Sequence, residues 1–281
     1  VKDLCVLAIA RSEGLYLLEW LAYHRSIGVE QIFLYTNDNV DGSERLLRAF
    51  AAAGEISLVE NVLQPGGVSP QYKAYGHALS MMPELLDHRW CAIIDCDEMI
   101  GFDKNQFSSL KDYIAWQELQ PVDEIALNML VFGSSGALRW QDKPLLTRFL
   151  GRYVDPHIKT ILRPRMYHHA MPHFPYRQGV AEVVCRDAAG HLYPVATPHS
   201  PAPRDSPAWI AHYYYRSFEE WIWKFSRGRP SRPLQQTLPP INVSEDFMAQ
   251  FVRQHRDPLV RDDRMCAVSY THLTLPTILR V

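Results

Sequence analysis

The chain has 281 residues, 47% hydrophobic and 21% charged, an ordinary globular balance with room for a large core. A formal net charge of −2 gives no electrostatic case for nucleic acid as partner, and no apolar run approaches the ~20 residues that span a bilayer. Five cysteines without metal-type spacing, and no signal-peptide pattern ahead of the first strand, read as a reduced, cytoplasmic protein whose thiols pack as small hydrophobes.

Leu4 to Ala10 is an apolar run that predicts a buried first strand, broken by Arg11-Ser12-Glu13-Gly14. A helix follows over 15–27, with Leu17, Leu18, Leu21 and Ala22 as one stripe and Gly28 as its stop. Gln31 to Tyr35 is a second strand, and Thr36 to Gly42 a polar loop past its end. A helix over 43–53 and a strand over 56–62 come next, then a loop with Pro65, Gly66 and Gly67 and a helix over 70–86. Cys91 to Ile94 is a short strand that ends in Asp95, Cys96, Asp97 and Glu98. This alternation predicts a doubly wound, mostly parallel sheet over about residues 1–100, with its polar loops on one rim.

A carboxylate cluster is costly to bury, so the acidic tip is expected in solvent at the strand's C-terminal end. Two apart, Asp95 and Asp97 share a face on an ideal strand and suit a hard divalent cation bound through oxygen. A solvated acidic turn is the alternative reading. On the metal-binding reading, with Asp97 in solvent rather than core, Asp97→Ala is expected to abolish activity without unfolding the protein.

The second half reads as a mixed α+β extension. A helix is expected over 109–116, strands over 124–132, 158–162, 181–185 and 210–215, and a proline-broken aromatic loop over 168–176. A last helix begins near Phe218 behind a capping box of Ser217 and Glu220. Arg227 to Pro240 is irregular and reads as a mobile flap. Residues 1–265 are expected to form one domain, with a nucleotide-binding half over about 1–100 and an acceptor-side, metal-completing half over about 101–265. Residues 266–281 resemble a translated cloning-adaptor sequence and are set aside.

Several blocks carry a family resemblance in order: Ala8 to His24, Thr36 to Ser43, Ile94 to Glu98, Phe132-Gly-Ser-Ser-Gly136 and His212-Tyr-Tyr-Tyr-Arg216. Together they resemble the family-2-like glycosyltransferases of the GT-A fold, and within them the branch related to family ninety-two. The resemblance covers about residues 3–230. It implies a metal-dependent transferase that moves a sugar from a nucleotide-sugar donor, UDP-linked by default, to a saccharide or glycolipid acceptor. Cell-envelope or capsular polysaccharide is the implied product, inversion the implied stereochemistry, and Mn²⁺ or Mg²⁺ the implied cofactor. The implied setting is the cytoplasm, with peripheral association at the inner membrane face.

The resemblance also assigns residues. Asp95, Asp97 and His212 would hold the metal, with Asp97 the more direct ligand and also catalytic. His212 suits equally a half-buried structural histidine. Arg11, Glu13, Asn37, Asp38, Lys73, Asp95, Gly133, Ser134, Lys159 and His173 would line the donor. Glu13 also suits a first-turn carboxylate, and Asn37, Asp38 and Asp41 suit a plain turn, with Asp41 shaping the loop. Lys159, Arg163, Arg165 and His173 would form a cationic wall over the diphosphate, or else ordinary solvated strand edges. The Glu-Asp pair that family-2 enzymes use as base is missing between residues 125 and 215, and Glu182 is the substitute candidate. The alternatives are a catalytically inactive carbohydrate-binding protein and a nucleotidyltransferase. The second lacks the Gly-rich basic loop expected after its first strand.

Overall fold

The computed structural model describes residues 2–64, 67–176, 182–193, 197–227, 245–253 and 259–266. The first half alternates as expected: β1 (Lys2–Ala10), α1 (Gly14–Ser26), β2 (Gln31–Thr36), α2 (Ser43–Ala52), β3 (Ser57–Glu60), α3 (Pro70–Met81), α4 (Pro83–Leu86) and β4 (His88–Ile93). The helix expected over 70–86 is interrupted at Met82, because Pro83 forces the residue before it out of the helical region.

The second half comprises β5 (Glu98–Phe102), α5 (Leu110–Gln117), β6 (Glu124–Phe132), α6 (Leu145–Arg148), β7 (Gly151–Leu162), β8 (Cys185–Asp187), β9 (Ala208–His212), α7 (Phe218–Ser226), α8 (Glu245–Val252) and β10 (Val260–Arg261). Strand β5 adds to the expected elements, and β7 is longer than the expected 158–162 because its polar first half pairs with β6. Most of the expected flap, part of the 181–185 strand and residues 267–281 lie outside the described residues.

The described strands form one mixed sheet in the order β3-β2-β1-β4-β7-β6-β9-β5, with β8 beside β6 and β10 beside β7. Strands β3, β2, β1 and β4 are parallel, which is the expected α/β class. Strand β7 runs antiparallel to both β4 and β6, so β6 and its parallel neighbour β9 again point the same way as β4. The C-terminal ends of β1, β2, β4, β6 and β9 therefore share one rim.

Side-chain alternation along β1 builds the two layers. Leu4, Val6, Ala8 and Ala10 face the α1 and α2 side, with Leu17, Trp20 and Leu47. Cys5, Leu7 and Ile9 face the α3 side, with Ala74, Tyr75 and Ala78. Cys5, Cys91, Cys96 and Cys185 are buried free thiols, as expected. No helix of the described residues is long and apolar enough to cross a membrane.

His24 on α1 is fully buried, with Nδ1 donating to the Trp20 carbonyl at 2.8 Å. Burial lowers its pKa from the ordinary 6.5 to about 4, so it is neutral in the fold. The unfolded chain protonates near 6.5 and the folded chain resists until about 4. Stability from this group is thus complete above pH 6.5 and is lost as pH falls towards 4, about 3 kcal/mol in all. Urea unfolding at stepped pH checks this, with His24→Gln expected to lessen the acid slope. An unchanged slope in the variant refutes it.

Candidate active site at the strand rim

Backbone strain marks the rim first. Ser12, Asp38, Ser135 and Arg216 have φ of +53°, +46°, +50° and +58°, and each lies just past the end of β1, β2, β6 or β9. Non-glycine residues are held in that region only when their surroundings over-determine them.

Arg11, Asn37, Asp38 and Lys73, assigned to the donor by resemblance, lie near one another past the ends of β1 and β2. Arg11 is buried, and its pKa is lowered by burial against the opposing pull of Asp38. Asn37 donates to Asp38 at 3.1 Å, and both line a cleft of about 390 Å³ with Thr36, Glu44, Asn61 and Val62. Lys73 reaches the edge of this cleft and donates to the Val62 carbonyl. Asp41 accepts from the Gly14 and Ser43 amides at 3.0 Å each, so it ties the starts of α1 and α2 together and shapes the loop.

The acidic tip differs from expectation. Asp97 and Glu98 are buried at 6% and 0% exposure, because each carboxylate has a cation beside it. Residues 94–97 form a turn between β4 and β5, so Asp95 and Asp97 do not share a strand face. The Trp20 indole pins this turn by donating to the Asp95 and Glu98 carbonyls at 3.1 and 2.8 Å. Asp95 accepts from Lys159 Nζ at 2.7 Å and Gln71 at 3.2 Å. Lys159 is wholly buried and also stands 3.2 Å from Glu98, so it is an internal counter-ion rather than part of a wall. Burial, with Asp95 and Asp97 adding, pushes Glu98 up to about 7 against the pull of Lys159.

Asp97 takes a different partner. Its Oδ2 accepts from Lys224 Nζ at 2.6 Å, and His212 Nε2 lies 3.5 Å from the same oxygen. Burial alone would raise its pKa, yet Lys224 and His212 hold it well below the usual carboxylate range. The register explains the meeting: Glu98 pairs directly with His212 across β5 and β9, and the Tyr213 amide donates to the Asp97 carbonyl at 2.9 Å. Behind this pair, Glu13 accepts from Arg227 at 2.5 Å and lies 3.7 Å from Arg216, whose guanidinium stacks 3.7 Å over the Tyr16 ring.

Gly133 and Ser134 follow β6 onto the same rim, where Val131 pairs with His212. His173 reaches the Lys159 neighbourhood, its Nδ1 donating to the Ile158 carbonyl at 3.1 Å, and burial lowers its pKa to about 4. Arg163 and Arg165 do not join it. They pair with Glu118 at 3.0 Å and Asp87 at 2.7 Å, near the opposite rim. Glu182 is exposed and is not brought to the site either. It precedes Val184, which is bonded to Asp123 at the N-terminal edge of β6.

Lys224, Arg216 and Arg227 were missed in the sequence. One signal was available for Lys224: it lies three and four residues after the buried Trp221 and Glu220, on the packed face of α7.

The expected metal is tested by the donor chemistry. An adjacent carboxylate and imidazole suit Mn²⁺, and the Lys224 ammonium already stands on Asp97 as a stand-in cation. Asp95 is committed to Lys159, and among the described residues no three carboxylate, imidazole or thiolate side chains are gathered to enclose an ion. Asp97 and His212 are the two side chains that could hold such an ion directly, with Asp95 outside them and the other positions left to diphosphate oxygens or water.

A family model for glycosyltransferase family 92 matches residues 4–181. A glycosyltransferase family 92 protein of Oryza sativa subsp. japonica is 28% identical over 187 residues, 64% of this chain and 31% of the relative. One from Arabidopsis thaliana is 25% identical over 240 residues, 80% of this chain and 37% of the relative. The chain spans about a third of the length of these curated relatives. A crystal structure of S. aureus TarS 1-349 aligns at 14% identity with a TM-score of 0.37, over 58% of this chain and 48% of that one. On the family match, this chain belongs to glycosyltransferase family 92.

Proposed function

We propose that residues 1–265 form one domain of a metal-dependent glycosyltransferase that uses a nucleotide-sugar donor, with UDP as the nucleotide. The observation that carries this reading is that Arg11, the cleft beside Asp38 and the Asp97–His212 pair all lie past the ends of strands that share one rim. Asn37 and Asp38 present acceptors to the base and ribose, and Arg11 supplies positive charge beside them. Gly133 and Ser134 face the sugar and acceptor side. Asp97 and His212 would hold Mn²⁺, which supplies positive charge to the departing nucleoside diphosphate as the glycosidic bond breaks. Asp95, fixed by Lys159 and Gln71, keeps the turn in shape and offers its remaining lone pairs to the ribose or sugar. The reaction is read as inverting and the acceptor as a saccharide or glycolipid of envelope or capsular polysaccharide synthesis, met at the inner membrane face.

The test is release of free nucleoside diphosphate from UDP-, GDP- and dTDP-sugars, with and without Mn²⁺, alongside a thermal-shift panel of the same donors. Metal-dependent release from the UDP-sugar is the expected result. Melting shifts without release would favour an inactive carbohydrate-binding protein, and pyrophosphate release from a nucleoside triphosphate would favour a nucleotidyltransferase.

A further inference from the structure

Helix α7 buries Glu220 and Trp221 and carries Lys224 inward on the same face. The ammonium lies 4.2 Å over the Tyr214 ring and donates to the Tyr214 carbonyl at 3.3 Å and to Asp97 Oδ2 at 2.6 Å. Only 15% of the side chain is exposed. A lysine this enclosed needs an anion beside it, and Asp97 is the anion it has. The same Asp97 oxygen is 3.5 Å from His212 Nε2. Lys224 and His212 address the same Asp97 oxygen, so a divalent cation held by Asp97 and His212 would compete with the ammonium for it. Among the described residues, Glu13, the other carboxylate that acts on Lys224, already faces Arg216 and Arg227. Lys224 has a flexible four-carbon stem that lets the ammonium be re-aimed once Asp97 is taken. A diphosphate arriving at the rim offers it a new partner.

We propose that Lys224 is a resident counter-ion that keeps Asp97 from divalent cations until a nucleoside diphosphate arrives, and then passes from Asp97 to that diphosphate. The inference rests on the metal-dependent reading above. It makes Mn²⁺ and nucleotide binding cooperative, because each alone leaves a charge without its partner. Reciprocity requires the coupling to appear from both sides.

The experiment is calorimetric titration of MnCl₂ into the protein alone and into the protein with stoichiometric UDP, with a protein-free UDP titration subtracted. UDP titrations with and without Mn²⁺ complete the cycle. The native protein is expected to bind Mn²⁺ at least about tenfold more tightly with UDP present. Lys224→Met should bind Mn²⁺ alone about tenfold more tightly than the native protein, lose most of the UDP enhancement and bind UDP more weakly. Lys224→Gln, polar and neutral, should behave likewise, and it carries the test if the Met variant does not fold. Native-like Mn²⁺ affinity without UDP in a folded variant overturns this proposal and leaves the metal reading intact. A native protein that binds UDP but no Mn²⁺ under either condition overturns both.

Discussion

Asp97→Asn is expected to stay folded and to lose about 10²–10³-fold in turnover, the usual cost of removing one preorganised charge from a reacting centre. The amide keeps the size of the side chain and an oxygen for Lys224, but not the charge that a divalent cation needs. Asp97→Ala should behave differently from the solvated-tip expectation. It leaves the Lys224 ammonium enclosed without its anion, with the Asp97 side chain only 8% exposed and Lys224 15%. Breaking such a pair from one side costs about 3–5 kcal/mol, a fall in melting temperature on the order of 10 °C for a chain this size. Steady-state turnover and thermal melts of both variants provide the check. Near-native turnover of Asp97→Asn with Mn²⁺ would remove Asp97 from the site. A melting temperature unchanged by Asp97→Ala would contradict the buried pairing.

Glu220→Ala should be the most destabilising change away from the rim. The Glu220 carboxylate closes the capping box by accepting from the Ser217 amide at 3.1 Å, and it also accepts from Ser217 Oγ and Tyr16 Oη. It further binds both terminal nitrogens of Arg148, with side-chain exposures of 5% for Arg148 and 2% for Glu220. Alanine strands a buried guanidinium, at about 3–5 kcal/mol, and removes a cap contribution of about 1 kcal/mol. Helix α7 also carries Lys224, so UDP affinity should fall with the loss of order. Denaturant unfolding would show the loss, and Glu220→Gln, which keeps some of these hydrogen bonds, should recover part of it. A Glu220→Ala midpoint within error of the native one would show that α7 is held by its aromatic face alone.

Local information was enough for much of this protein. The apolar run before Arg11, the alternation of strands and helices to residue 100 and the capping box of α7 are read from neighbours in the chain, because propensity, periodicity and capping act over a few residues. The ordered blocks from Ala8 to Arg216 pointed to the family, and they named Asp97 and His212, which the fold brings within 3.5 Å of each other. The partners of the charges were not local. Lys159 meets Asp95 64 residues away and Lys224 meets Asp97 127 residues away, and no spacing rule connects such positions. Treated as an unpaired cluster, the acidic tip belonged in water, since isolated carboxylates are expensive to bury. The fold buries Asp97 and Glu98 because antiparallel β7 returns Lys159 to the tip of β4 while β9 and α7 bring His212 and Lys224. Glu182 shows the same point in reverse: the sheet register carries it to the opposite rim. Sequence determined most of the elements and the family here, while tertiary pairing decided which charges are neutralised, because a long-range ion pair exists only once packing has closed the loop between its partners.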